Sequence, residues 1–442
     1  MPCVTCCMNC ERGSHDSSAG PPLAGLRPFE LANAQGDRPR GARAGRIGLM
    51  RRAPTRRQQA ACLATALFVI TTGVNLHAPL YAAMAQRDGA GLAATTIAFS
   101  FYVAGVLPVL LALGGLSDRL GRRPVMAAAL ALSAAGTVLM LVSPHIATLA
   151  AARWLLGVGT ALMSATAPAY MADILDAEHP GTAASWVTAS TSLGFGLGPA
   201  LTSLFVGAGN TLRPPSYGLH LAGVAVSALL LWALLPPHGP SRNRSPMWRP
   251  PCFPQGALWF GGAILLAWAT TGVIISILPA VLARHGLAHW SGLAALLAIS
   301  CGLLFQPMAR RLAPVRATRT GLWLLPPAYG LIAWGGLQGH LPAVLVGALV
   351  ASSSCYGFVY LGGLQGVAAL AGGQTARASA GFFSMAYLGF SIPVIFTGWM
   401  ADVLGRTVAL CSFGALLLAG TAGLLWMSRA HPATRLGVGS TA

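Results

Sequence analysis

Residues 114–123 read Gly114-Gly115-Leu116-Ser117-Asp118-Arg119-Leu120-Gly121-Arg122-Arg123 and sit between two long apolar runs. One acid, three arginines and turn glycines fall where a chain leaves a membrane and re-enters it. The surroundings fit that picture. The 442 residues are 55% hydrophobic and only 9% charged, against roughly 25% charged in soluble proteins. Apolar runs recur from about residue 58 to residue 428, each close to the ~20 residues a helix needs to cross a bilayer. The fold class is all-α and polytopic. Twelve spans are expected, the first at 58–83, the ninth at 318–337 and the eleventh at 379–400. Pro79, Pro108, Pro168, Pro199, Pro279 and Pro393 fall inside spans, where membrane helices tolerate proline.

The formal charge of +18 comes from arginine, since the 28 basic residues include no lysine. The arginines flank the spans, which argues for a lipid bilayer as the partner and against nucleic acid. With the N-terminus inside, inner loops and C-terminus hold thirteen arginines and outer loops four, namely Arg87, Arg213, Arg284 and Arg406. Both termini are therefore expected to be cytoplasmic. Residues 1–57 read as a disordered extension, 58–235 as a six-helix half, 236–255 as a Pro- and Arg-rich linker, 256–428 as a second half and 429–442 as a tail. Displacing the 114–123 loop by 192 residues lands on Gln306–Leu312, a weak repeat that matches Arg119 with Arg311 and replaces Asp118 with Arg310. Cys3, Cys6, Cys7 and Cys10 are too crowded for the usual four-cysteine zinc site. A functionless tail, or translation starting at Met50, explains the extension better. The five other cysteines are scattered. No metal or cofactor is expected.

The loop resembles the signature of the major facilitator superfamily, carried here by Gly114, Leu116, Ser117, Asp118, Arg119, Gly121, Arg122 and Arg123. Two further segments are similar to superfamily motifs. One is Arg153-Trp154-Leu155-Leu156-Gly157-Val158-Gly159, with Leu156 where glutamine is common. The other is Gly194-Phe195-Gly196-Leu197-Gly198-Pro199, the antiporter-like segment, whose trailing glycines are replaced by Thr202 and Ser203. The resemblance implies two pseudo-symmetric six-helix halves that alternate access to a central site, as in drug and metabolite efflux permeases. It implies that Asp118 and Arg122 latch the cytoplasmic side, and that Arg153 serves coupling or holds the first and fourth spans together. A similar stretch, Gly398 to Arg406 around Asp402, falls at the outer end of the eleventh span and reads as fold evidence, not as a second latch.

Arg153 also admits a plainer reading, snorkelling to the outer interface. Gly194 and Gly198 equally fit an ordinary helix-packing face. The ten carboxylates all avoid mid-membrane positions; Asp173, at the end of the fourth span, comes nearest. His77 is then the leading titratable group within a span, either relaying protons or hydrogen-bonded and inert. Without buried acids the cavity suits a neutral or anionic solute. Asn75, Thr188, Thr191, Thr271, Tyr356, Tyr360, Gln365 and Tyr387 are candidate cavity residues, although hydroxyls in such helices often bond their own backbone. The function expected is proton-coupled efflux of a small organic solute by a monomer. Uptake or facilitated diffusion of a small metabolite is the alternative, and a non-transporting sensor is a more distant one. No catalytic constellation is present.

Overall fold

The computed structural model describes residues 54–175, 182–206, 212–236, 247–248 and 250–430. The cysteine cluster, most of the linker and most of the C-terminal tail lie outside these residues. Twelve membrane-length helices follow one another: α1 Arg56–Arg87, α2 Leu92–Ala112, α3 Arg122–Val142, α4 Ile146–Leu175, α5 Thr182–Val206, α6 Pro215–Leu234, α7 Ala257–Ala283, α8 Ala288–Ala309, α9 Pro314–Gln338, α10 Leu341–Leu370, α11 Thr375–Val403 and α12 Arg406–Arg429. Eleven are apolar enough to cross a membrane by composition. The exception, α9, carries Arg316 and Arg319 near its start yet runs 25 residues, or about 37 Å. Arg319 is not idle there: its Nε donates to Ser428 Oγ at 2.9 Å and its Nη2 to the Ser428 carbonyl at 2.5 Å, closing the end of α12. Leu204, Leu229 and Trp426 are each more than 70% exposed on the outside of the bundle. A lipid-facing surface tolerates this where an aqueous one would not. The protein is an integral membrane protein.

Two helices are broken at matching places. In α1 the α-helix ends at Asn75, passes through a 3-10 turn at Ala78–Leu80 and resumes at Tyr81. In α7 it ends at Ser276 and resumes at Leu278. Pro79 and Pro279 explain both breaks, because proline has no N–H for the carbonyl one turn back. Pro108, Pro168, Pro199 and Pro393 stay inside continuous helices. In the second half α8 has a 3-10 stretch at Cys301–Phe305, and α10 a π-helical stretch at Ser353–Val359. The two irregular segments meet where Gly302 N–H donates to Ser352 Oγ at 2.7 Å.

Glycines set how closely the helices approach. A Cβ on Gly157 would collide with the Tyr102 carbonyl, and one on Gly105 with the Trp154 carbonyl, so α2 and α4 touch backbone to backbone. Gly194 and Gly198 press α5 onto α1 at Thr71 and Thr72, while Gly196 faces α8 at Ser300. The helix α5 thus lies between its own half and the other. Across that seam Gly292 N–H donates to Ser203 Oγ at 2.9 Å and Ser300 Oγ to the Ser192 carbonyl at 2.7 Å.

The second seam joins α2 to α11, and its end away from the 114–123 loop corrects an expectation. Asp402 does more than mark the fold. Its carboxylate accepts the N–H groups of Leu92 and Ala93 at 2.8 Å each, capping α2 from the other half. A helix start offers unpaired N–H groups and a partial positive charge, which a carboxylate neutralises. Gly91 leaves room for the carboxylate, and Gly398 lets α11 close on Thr96. At the same end Asp88 accepts from Ile146 N–H at 2.7 Å and bonds the His145 ring at 2.9 Å. The Ile146 amide foremost, with the His145 ring, holds the Asp88 carboxyl below its ordinary value.

Gly157→Val should lower stability by about 1–3 kcal/mol through overpacking, read as a lower unfolding midpoint in detergent. Asp402→Asn should speed hydrogen exchange at residues 92–93 by about 10-fold or more, given ~1.5–3 kcal/mol for hydrogen bonds to a charged group. Because the folded-state carboxyl of Asp88 titrates low, its contribution is present at neutral pH and lost as pH falls through that depressed value. The midpoint of Asp88→Ala should therefore fall short of wild type at neutral pH, by about 1 kcal/mol for a lost cap, and converge with it in acid.

Candidate functional site

Arg153 is the largest fully buried side chain among the described residues. The glycine contact between α2 and α4 places it, one turn before Gly157, against the rings of Phe99 and Tyr102. Its guanidinium carbon lies 4.5 Å and 4.8 Å from their centroids. Nε donates to the Phe99 carbonyl at 3.1 Å, and Nη1 to the Val74 carbonyl at 2.6 Å, in the last turn before the α1 break. Arg153 therefore does not snorkel. It ties α1, α2 and α4 together.

The α1 break gathers further polar groups around it. His77 is fully buried, lies 5.1 Å from the Tyr217 ring, and has no hydrogen-bond partner at either ring nitrogen. Tyr81 Oη, Tyr217 Oη, Asn75 Oδ1 and Arg153 Nη2 are likewise buried without a partner. Asn75 Nδ2 does reach the Phe195 carbonyl of α5, at 3.2 Å. His220 is satisfied instead, by Thr137 Oγ1 at 2.9 Å and the Val69 carbonyl at 3.2 Å.

An aromatic band continues from Phe99 into the second half. Phe99 meets Phe390 at 4.8 Å, and Tyr102 meets Tyr387 and Phe390 at 6.4 Å each. Trp268 of the broken helix α7 lies 5.2 Å from Tyr387 and 6.4 Å from Tyr356, which sits in the π-helical stretch. Among the expected cavity residues Tyr356 and Tyr387 join this band, and Tyr360 follows beside Phe383 at 6.2 Å. Gln365 is exposed and lies about 140° round the helix from Tyr360, away from the tyrosines. Thr271 and Thr191 bond back to Ala267 and Val187 on their own helices, at 3.2 Å and 2.8 Å; Thr188 is half-buried. Sequence reasoning passed over Phe99, Tyr102, Tyr81, Tyr217 and Phe390. A signal for part of the band was present: Phe99 and Tyr102, like Tyr387 and Phe390, stand three apart on one helical face.

At the 114–123 end, Asp118 and Arg119 lie in a one-turn helix, Leu116–Leu120, after the turn at Gly114. Gly121 follows with φ +90°, a conformation that needs glycine. Arg122 forms an ion pair with Asp173 of α4 and lies 5.3 Å over the Tyr170 ring. Arg123 lies 5.8 Å over Trp232 of α6, and Tyr170 Oη donates to the Pro236 carbonyl at 2.7 Å. The loop arginines thus bind the ends of α4 and α6. A pocket of about 520 Å³ opens between α1 and α5 in this half of the bundle, lined by Thr65, Phe68, Trp186 and Ser190 among others. Among the described residues no group of three or more His, Cys, Asp or Glu side chains could hold a metal ion.

Comparison with known proteins extends this picture. The multidrug resistance protein MdtL of Shewanella sp. (strain ANA-3) is 28% identical over 177 residues, covering 39% of this chain and 43% of that protein. The match thus spans less than half of that relative. The nucleoside transporter NupG superposes with TM-score 0.66 at 14% identity, over 84% of this chain and 98% of that one. A bacterial homologue of the human lysosomal transporter Spinster, in an inward-facing and occupied conformation, gives 0.67 at 14%, over 88% and 99%. A D-xylose-proton symporter gives 0.61 at 16%, over 86% and 98%. The profile of the Major Facilitator Superfamily matches residues 63–392, and the chain belongs to that family of transporters.

Proposed function

We propose that this protein exports a small organic solute across a bacterial inner membrane in exchange for protons, by alternating access between its two halves. The single observation that carries alternating access is the Asp402 cap, a bond between halves at one end of the α2–α11 seam. With both termini cytoplasmic, as the arginine count favours, Asp402 seals the outer side and residues 114–123 face the cytoplasm. Residues 58–235 and 256–428 are the moving halves, 236–255 the linker, and one chain suffices. In the outward-open state Asp118 and its loop take over as the cytoplasmic latch, with Arg122 held ready by Asp173. The breaks in α1 and α7 fall at corresponding places in the two halves, the usual location of a transporter's central site. His77, buried beside Arg153 with both nitrogens unpaired, is the group we assign to proton coupling.

Export rests on the partial likeness to a multidrug resistance protein and on the antiporter-like segment at Gly194, Gly198 and Pro199. Uptake is the second reading. Asp88, Asp118, Asp173 and Asp402, the carboxylates among the described residues, all lie at helix ends, so no acid is placed within a span to carry protons.

Growth inhibition in an efflux-deficient bacterial host tests the proposal. Wild type and Asp118→Asn are compared at matched abundance across drugs, dyes, organic acids and toxic sugar and amino-acid analogues. Resistance that Asp118→Asn abolishes is the expected result. Sensitisation that depends on Asp118 reverses the direction to uptake. Where transport is seen, His77→Ala should remove its pH dependence; an unchanged pH profile sinks the coupling role.

A further inference from the structure

The guanidinium of Arg153 is wholly buried, and among the described residues no carboxylate lies within a span to balance it. Two carbonyls and two ring faces hold it, which satisfies Nε and Nη1 and leaves Nη2 unpaired. Around it stand Tyr81 Oη, Tyr217 Oη and His77, all buried and all unpaired. Arg153 covers Phe99 at 4.5 Å and Phe99 meets Tyr81 at 6.4 Å; Arg153 also donates to the Val74 carbonyl, three residues before His77, and His77 meets Tyr217 at 5.1 Å. A buried cation with no counter-charge is costly, and so are buried donors without acceptors. One ligand group answers all of these demands. A carboxylate brings negative charge and several lone-pair positions, enough to accept from Arg153 and both tyrosine hydroxyls together.

The aromatic band adds a second requirement. Phe99, Tyr102, Tyr387, Phe390 and Trp268 form a continuous series of ring contacts leading from Arg153 to the breaks and bulges of the second half. The Phe99–Phe390 contact joins the two halves, so parting them uncovers Phe99 and the guanidinium behind it. A ring attached to the carboxylate would lie along this band at little conformational cost.

We infer that the transported solute is an aromatic carboxylate, its carboxylate bound by Arg153, Tyr81, Tyr217 and His77 and its ring by the aromatic band. The inference rests on the transport reading above and names the substrate class of the same site.

Sodium benzoate is the probe, titrated into the purified full-length protein in detergent, with heat of binding and the thermal midpoint as readouts. Acetate, benzamide and sodium chloride are the comparison arms. Benzoate should bind saturably, acetate more weakly, benzamide and chloride not at all. Arg153→Gln abolishes binding, but its loss of carbonyl bonds can also unfold the protein. Tyr81→Phe and Tyr217→Phe remove only hydroxyls that have no partner, so each should keep the unliganded midpoint and weaken benzoate about tenfold, one hydrogen bond to a charged group. Benzamide binding as tightly as benzoate, equal affinity for acetate, stabilisation by chloride alone, no benzoate binding, or unchanged affinity in both tyrosine variants each overturns the inference. Its failure is separable from that of the transport reading. Tyrosine-dependent benzoate binding without movement of benzoate across proteoliposomes keeps the site and removes transport. Resistance to a neutral compound, with no benzoate binding, keeps transport and removes the anionic substrate.

Discussion

A positive charge has to be kept in an apolar interior without a negative one beside it, and much of the first half is arranged around that constraint. Taking an arginine out of water costs several kcal/mol even after the surroundings relax. Hydrogen bonds to two carbonyls return ~1.5–3 kcal/mol each, and each ring face ~0.5–2 kcal/mol. The carbonyl of Val74 comes from the turn where α1 breaks, and that of Phe99 from α2. The carbonyl of Phe99 is brought within reach by the glycines that let α2 and α4 touch. Remove the glycine contact and the arginine loses its acceptor on α2; remove the arginine and three helices lose the residue that joins them.

The second half meets its own polar demands by different means. It has no counterpart of Arg153. It has irregular backbone: the break at Pro279, the 3-10 stretch of α8 and the π-helical stretch of α10. Such departures are tolerated in a membrane only where protein or a cavity covers the freed groups, and here they lie beside the aromatic band. One half therefore brings a buried charge and unpaired donors together with two rings of the band, while the other brings the remaining rings and irregular backbone.

The sequence carried the architecture well because its signals are local. Span number and the 114–123 loop each depend on neighbours in the chain, so hydropathy and charge report them directly. The ninth span was legible even though its prolines and glycines keep its hydropathy below that of the other spans. Pairings across the chain were less accessible. Nothing near Asp402 says that it caps α2, because the N–H groups it meets lie 309 residues or more away. Nothing beside Arg122 in the sequence points to Asp173, which reaches it through the length of α4. Gln365 looked equivalent to Tyr360 until helical phase put it on another face. The buried tyrosines Tyr81 and Tyr217 gave no signal, since an isolated tyrosine in an apolar run usually fills space.

The seam between α5 and α8 is rich in glycine and serine: Gly196, Ser192 and Ser203 on one side, Gly292 and Ser300 on the other, with Leu296 packed on Gly196 and Pro199 on Gly292. Such a surface has little relief beyond Leu296. Large interlocking side chains would have to climb over one another when one helix tilts against its partner, giving a stepped motion. Backbone and hydroxyl contacts can exchange one acceptor for the next with little change in enthalpy. If the halves move as proposed, such a seam would act as a smooth bearing, and the preference for one conformation over another would lie at the rims of the bundle, where charges meet helix ends.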